Sequence, residues 1–164
     1  MFLRVDDRLL HGQVAVAWTS KLQANFIVIA NDSAATDAVK KMSIKLAKPA
    51  GADLRILTME DGIKILNDER ILNKHAIVIA ESIADAYRLV EESPYITQIN
   101  IGGLRQSKEV DKVQIDRQIF LNKEEIEYLE KLSAKGLEVF GQVGTLDNRF
   151  YLEHMKKEVL KGGK

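Results

Sequence analysis

His11 lies in the run Arg4-Val5-Asp6-Asp7-Arg8-Leu9-Leu10-His11-Gly12-Gln13-Val14, among two arginines, two carboxylates and a glycine. A neutral imidazole is a good nucleophile near neutral pH. Just before a helix start it has unpaired backbone N–H groups beside it, and these attract anions. The guanidinium forks of Arg8 and Arg4 match phosphate oxygens, and the N–H groups at Gly12 and Gln13 are placed to do the same. Together these residue types suit a histidine that accepts and returns a phosphoryl group. Fixed positive charge also disfavours protonation of the ring, while Asp6 and Asp7 push the other way. One of these carboxylates could hold an arginine, or fix the ring tautomer through the other N–H. The plainer reading is a polar loop histidine whose Gly12 serves only the turn.

The elements around His11 place it at a ligand edge. Phe2, Leu3 and Val5 form a short apolar strand that stops at the two carboxylates. A helical pattern begins near Gln13 and puts Val14, Ala17, Trp18 and Leu22 on one face. In an α/β sheet, ligands bind in the crevice outside the carboxyl ends of the strands. The strand-then-helix rhythm repeats. Phe26–Ala30 and Ala76–Ala80 are continuous apolar runs, as expected of strands covered on both faces. Residues 52–57 read as a strand, with Thr58 capping the next helix, and Thr97–Ile101 reads as a fifth strand closed by Gly102-Gly103. Leu104–Val113 reads as a loop or short edge structure, and Arg117–Leu121 as a short strand. Asn122 with Glu125 gives a capping-box start to a helix ended by Gly136. Leu137–Val143 is the last strand. A helix is expected from about Asp147, and a frayed tail over 161–164. The fold class is therefore α/β: a single domain over residues 1–164, doubly wound, with a mainly parallel central sheet of about seven strands. Helices cover both faces, and the late strands are free to add an antiparallel edge.

Other candidates lie on the same edge. Gly102-Gly103 could form an anion-binding nest or simply a tight turn. Asn31-Asp32 and Glu81-Ser82 could face the site or cap helices. His75 begins the fourth strand and so points to the opposite edge, and His154 lies among lysines on the final helix. No histidine pair has a metal spacing, so no metal is expected. Neither a dinucleotide nor a nucleoside-triphosphate loop is present. Asp6-Asp7 invites comparison with receiver domains, but Ile56-Leu57-Thr58-Met59 offers no phosphoacceptor aspartate after the third strand.

Composition narrows the class. Twenty-four basic residues balance 24 acidic ones, which argues against general nucleic-acid binding. The absence of cysteine excludes disulfides and thiolate metal sites. With 46% hydrophobic residues and two prolines, the chain has the make-up of a packed domain. No apolar run approaches the ~20 residues of a membrane span. The N-terminus enters a strand at once, so a cytoplasmic protein is expected.

The string Asp7-Arg8-Leu9-Leu10-His11-Gly12-Gln13-Val14, followed by Trp18, closely resembles the active-site loop of the IIB components of the mannose/fructose/sorbose family of the bacterial sugar phosphotransferase system. Asn31-Asp32, Pro49 and Asn100-Ile101-Gly102-Gly103 extend the likeness over nearly the whole chain. One departure is Gln142-Val143-Gly144-Thr145, which has glycine where the family commonly has proline. The resemblance implies a cofactor-free phosphocarrier. His11 would take a phosphoryl group at Nδ1 from a phosphohistidine of a IIA protein. It would pass the group to a sugar held by the membrane IIC and IID components, to which the chain attaches peripherally. Arg8 and Arg4 would clamp phosphate oxygens with Gly12 and Gln13, supported by Asp6, Asp7, Gly102 and Gly103. Leu9 and Leu10 could join the docking surface or pack beneath the loop. A non-catalytic module of the same fold that binds a phosphorylated ligand is the alternative, and a hydrolase using His11 as general base a third reading.

Overall fold

A computed structural model describes residues 1–162. Seven strands form one sheet in the order β3-β2-β4-β1-β5-β8-β9. They are β1 (Phe2–Asp6), β2 (Phe26–Ala30), β3 (Asp53–Leu57), β4 (Ala76–Ala80), β5 (Gln98–Gly103), β8 (Glu138–Gly141) and β9 (Phe150–Tyr151). All pairings are parallel except β8 with β9. The doubly wound class and its antiparallel edge are thus as expected. A second, two-stranded antiparallel ribbon, β6 (Val113–Asp116) and β7 (Ile119–Leu121), is tied to the sheet by a bridge between Leu104 and Ile119.

The alternation of β1 sorts the two layers. Leu3 and Val5 enter a core with the helices α4 (Met59–Leu66), α6 (Ile83–Glu92), α7 (Lys123–Ala134) and α8 (Leu152–Gly162). Phe2 faces the other layer, with Leu9, Leu10, Val14, Trp18 and Ile44. The latter layer carries a π-helical turn over Val14–Trp18 that runs into α1 (Thr19–Lys21), then α2 (Asp32–Thr36) and α3 (Ala38–Leu46). Between α4 and β4 lies the short α5 (Glu69–Leu72). Caps follow side-chain chemistry. Thr58 accepts from Asp61 N–H, Ser82 from Asp85 N–H, and Asn122 with Glu125 forms the reciprocal box. Among the described residues no helix is long and apolar enough to cross a membrane.

Element boundaries differ from expectation. The last helix begins at Leu152 and not near Asp147, because Phe150-Tyr151 pairs with β8 and the Phe150 ring packs against Gly141. The stretch expected as a loop or short edge structure gives way at Val113 to β6 of the ribbon, which extends to Asp116. After Asn31-Asp32 the chain forms two helices, since Asp37 leaves helical geometry to cap α3. Of the expected frayed tail, Lys161 and Gly162 close α8, whereas Gly163 and Lys164 lie outside the described residues.

The α4–β2 contact yields a test. A Cβ at Gly62 would stand 2.6 Å from the Ala30 Cβ. Alanine would gain about 1 kcal/mol of helix propensity, but overpacking against a rigid strand costs about 1–3 kcal/mol. Gly62→Ala is expected to destabilise by up to about 2 kcal/mol net, read as a lower urea midpoint. A raised midpoint would contradict this packing.

Candidate active site around His11

A buried ion pair sets the site. Strand period puts Arg4 and Asp6 on the same face of β1. Both are 0% exposed, and the Arg4 Nη2 donates to Asp6 Oδ2 at 2.9 Å. Arg4 Nη1 donates to Asn100 Oδ1 at 2.6 Å, and its fork also reaches the carbonyls of Gln142 and Val143. The guanidinium lies 5.0 Å from the centre of the Trp18 ring, whose Nε1 donates to the same Val143 carbonyl. Among the described residues Arg4 Nε has no hydrogen-bond partner.

Arg4 is therefore not a phosphate clamp. It lies beneath the surface, and its charge is directed at Asp6. The two glycines of β5 make room for the pair and do not form an open anion nest. The pairing slips between Val5 and Asp6, leaving Gly102 at the irregularity. A Cβ at Gly102 would meet the Arg4 guanidinium at 1.9 Å, and one at Gly103 would stand 3.1 Å from the Asp6 carboxylate.

Asp6 in turn holds the imidazole. Its Oδ2 is 3.0 Å from His11 Nε2, and its Oδ1 accepts the Arg8 backbone N–H at 3.2 Å. Burial pushes the Asp6 carboxyl up. The His11 hydrogen bond, the charges of Arg4 and His11 and the Arg8 N–H pull it down, and the net position is below the usual carboxylate range. An ionised carboxylate only accepts. Nε2 therefore carries the hydrogen, and the lone pair of the neutral ring is on Nδ1.

The loop that presents this ring is packed from below. Leu9 and Leu10 are both buried, so neither belongs to an exposed surface. Leu9 adopts a left-handed φ of 56°, and its N–H closes a turn onto the Asp6 carbonyl. The first helical bond runs from Ala15 N–H to the His11 carbonyl at 2.8 Å. Ahead of it stand the N–H groups of Gly12 and Gln13, with Gly12 exposed. Asp7 ties two loops together: its N–H donates to the Gly103 carbonyl, and its carboxylate accepts from Arg105 N–H and Nε.

His11 opens onto a cleft of about 760 Å³ bordered by Arg8, Lys40, Leu46, Glu81 and Arg105. Arg8 is part-exposed, with Nε 3.6 Å from Asp6 Oδ1 and Nη2 donating to Gln118 Oε1 at 3.0 Å. Asn31 caps α2 through Ala34 N–H and also donates to Glu81 at 2.6 Å, so that pair both caps and shapes the cleft wall. His75 and His154 stand apart from this cleft, His154 edge-on to Phe150. Among the described residues no three metal-ligating side chains come together.

Sequence reasoning missed Asn100, Arg105, Gln118 and Gln142. The period of β1 could have revealed the Arg4–Asp6 pair, and Arg105 follows the fifth strand at the site edge. Nothing local marks Gln118. The departure at Gly144 also resolves: its N–H donates to Asp147 Oδ2 at 2.7 Å, a bond proline could not make.

Removing the charge of Asp6 strands Arg4 in the interior. Asp6→Asn is expected to destabilise by about 3–5 kcal/mol at pH 7, measured by urea unfolding. Because the folded carboxyl lies below its unfolded value, its stabilisation is present above about pH 4 and is lost as the pH falls through the lowered value. The gap between wild type and variant should close in that window. A gap independent of pH would contradict the pair.

Comparison with known proteins agrees with this architecture. A family model described as the PTS system sorbose subfamily IIB component matches residues 1–161. The chain is 39% identical over 157 residues to a probable phosphotransferase enzyme IIB component of Streptococcus pyogenes serotype M6, which covers 93% of this chain and 96% of that protein. It is 31% identical over 138 residues to the mannose-specific EIIAB component of Escherichia coli, 83% of this chain and 42% of that longer protein. The crystal structure of the IIBSor domain of the sorbose permease from Klebsiella pneumoniae superposes with a TM-score of 0.85 at 23% identity, covering 96% of this chain and 98% of that one. At that identity the likeness speaks for the fold. The family match runs through the His11 loop and on to the last helix, and the chain accordingly belongs to the sorbose-subfamily IIB components of the phosphotransferase system, phosphocarriers in sugar uptake.

Proposed function

We propose that His11 is the phosphoryl acceptor of this IIB chain and carries the group on Nδ1. The observation that supports this most is the 3.0 Å contact of Nε2 with Asp6, which leaves Nδ1 as the nucleophilic nitrogen beside an arginine-bordered cleft. The donor is a phosphohistidine of a IIA protein. Its P–N bond breaks as the bond from phosphorus to Nδ1 forms, in line, with charge spread over three equatorial oxygens. Arg8 and the N–H groups of Gly12 and Gln13 bind those oxygens. As the ring gains positive character, the Asp6 carboxylate stabilises it. In the second step a hydroxyl oxygen of a mannose-, fructose- or sorbose-class sugar, held by IIC and IID at the membrane, takes the phosphoryl group. The hydroxyl proton passes to a base on that side, and Nδ1 recovers its lone pair. The chain works in the cytoplasm and meets the membrane only through those partners.

The cleft also suits docking. Val39 and Leu46 border it while 76% and 80% exposed, and Lys40, Arg8 and Arg105 line the same cleft. Exposed apolar side chains and cations in one cleft fit a partner that presents a phosphoryl dianion, through a modest, transient interface.

Incubation with a radiolabelled phosphorylated IIA protein should give acid-labile, base-stable label on the wild type and none on His11→Ala. Label retained by that variant would refute the assignment. Stoichiometric binding with no transfer would favour a regulatory module instead. Leu46→Glu should raise the IIA concentration for half-maximal transfer about tenfold, with an unchanged melting temperature. An unchanged half-saturation would move docking elsewhere.

A further inference from the structure

We infer that Gln118 is a positioning residue that aims the Arg8 guanidinium at the phosphoryl site, an inference that rests on the proposed role of His11. Arg8 is the cation of the cleft attached nearest the ring, three residues before it in the same loop. Arg105 is hydrogen-bonded to Asp7, and Lys40 lies 3.9 Å from Glu81. Arg8 has its Nε 3.6 Å from Asp6 Oδ1, beyond hydrogen-bond distance, while its Nη2 is held by Gln118. An arginine side chain is long and, unrestrained, samples many rotamers. Here its Nη2 bonds to Gln118 Oε1 at 3.0 Å, across 110 residues of sequence.

The platform beneath Gln118 is held from several sides. Its carbonyl accepts Leu104 N–H at 2.9 Å, and Phe120 N–H donates back to the Leu104 carbonyl at 2.8 Å. The neighbouring Arg117 is ion-paired with Asp147. Asp147 accepts the Gly144 N–H, and its own N–H bonds the Gly144 carbonyl. The ribbon turn is thus fastened both to the end of β5 and to the loop after β8. Gln118 is a neutral acceptor. It fixes the fork without offsetting its charge, whereas a carboxylate there would fix and neutralise it together. A fixed donor has no reorganisation to undergo when charge develops on the phosphoryl oxygens.

The test uses phosphoramidate, a small donor with the same P–N bond, so that docking of a protein partner plays no part. The phosphoramidate nitrogen is already protonated as –NH3+, so its P–N bond breaks as the bond to Nδ1 forms, neutral ammonia leaves, and the positive charge passes to the imidazole ring. Single-turnover labelling is compared for wild type, Gln118→Met, Arg8→Ala and the double variant, with melting temperatures recorded. Methionine keeps the length of glutamine and removes the acceptor. Gln118→Met should slow labelling about tenfold with little change in half-saturation. In the Arg8→Ala background it should have no further effect, because residues acting through one group are not additive. Gln118→Met within twofold of wild type, or the same tenfold loss repeated on top of Arg8→Ala, would overturn the inference. Both outcomes leave His11 as the acceptor. Label persisting in His11→Ala would instead remove the reading beneath it.

Discussion

The buried contact between Arg4 and Asp6 is the constraint the rest of the site obeys. Two charges withdrawn from water are tolerated only when their remaining donors and acceptors are satisfied. The fold meets this for all but the Arg4 Nε, with main-chain carbonyls of residues 142 and 143, the Asn100 amide and the Trp18 face. Each comes from a different part of the chain. The pair therefore fastens β1, β5, the loop after β8 and the first helix at one point. The same carboxylate then has lone pairs left for His11 and for the Arg8 N–H. One residue both closes the interior and orients the ring above it.

That arrangement explains why part of the site was legible in the sequence and part was not. The His11 loop could be read because its residue types are adjacent in the chain and their chemistry is local. Strands such as Phe26–Ala30 could be read because a strand buried on both faces must be continuously apolar. Arg4 was misread for the opposite reason. An arginine near a candidate phosphate site invites a clamp, and only the register of β1 against β5 shows that its guanidinium fills the space Gly102 leaves. Arg105 and Gln118 reach the site through non-local pairing, which one-dimensional pattern cannot carry. The start of the last helix was misplaced because two residues suffice for β9, fewer than any periodicity can reveal.

The apolar stripe of α3 shows a related limit. Val39, Met42 and Leu46 recur at helical spacing as core residues would, yet they are 76%, 60% and 80% exposed, and Ile44 is the residue that enters the core. Spacing identifies a face but not which side of the helix the sheet covers. For a phosphocarrier the outcome has a physical sense. Under the proposed transfer, the chain would meet a donor and an acceptor in turn, and such a role calls for apolar area left uncovered and for cations close enough to attract a phosphoryl group without holding it permanently.

Rigidity of the loop completes the account. A leucine with left-handed φ costs roughly 1–2 kcal/mol. Burying Leu9 and Leu10 gives back about 1.5–3 kcal/mol each, so the strained turn is the stable one. The turn brings the His11 ring over Asp6 before any partner arrives. In the proposed role of His11, an acceptor nitrogen already selected need only let the donor approach along one line. Transfer through such a ring depends on geometry established in folding, more than on rearrangement during the encounter.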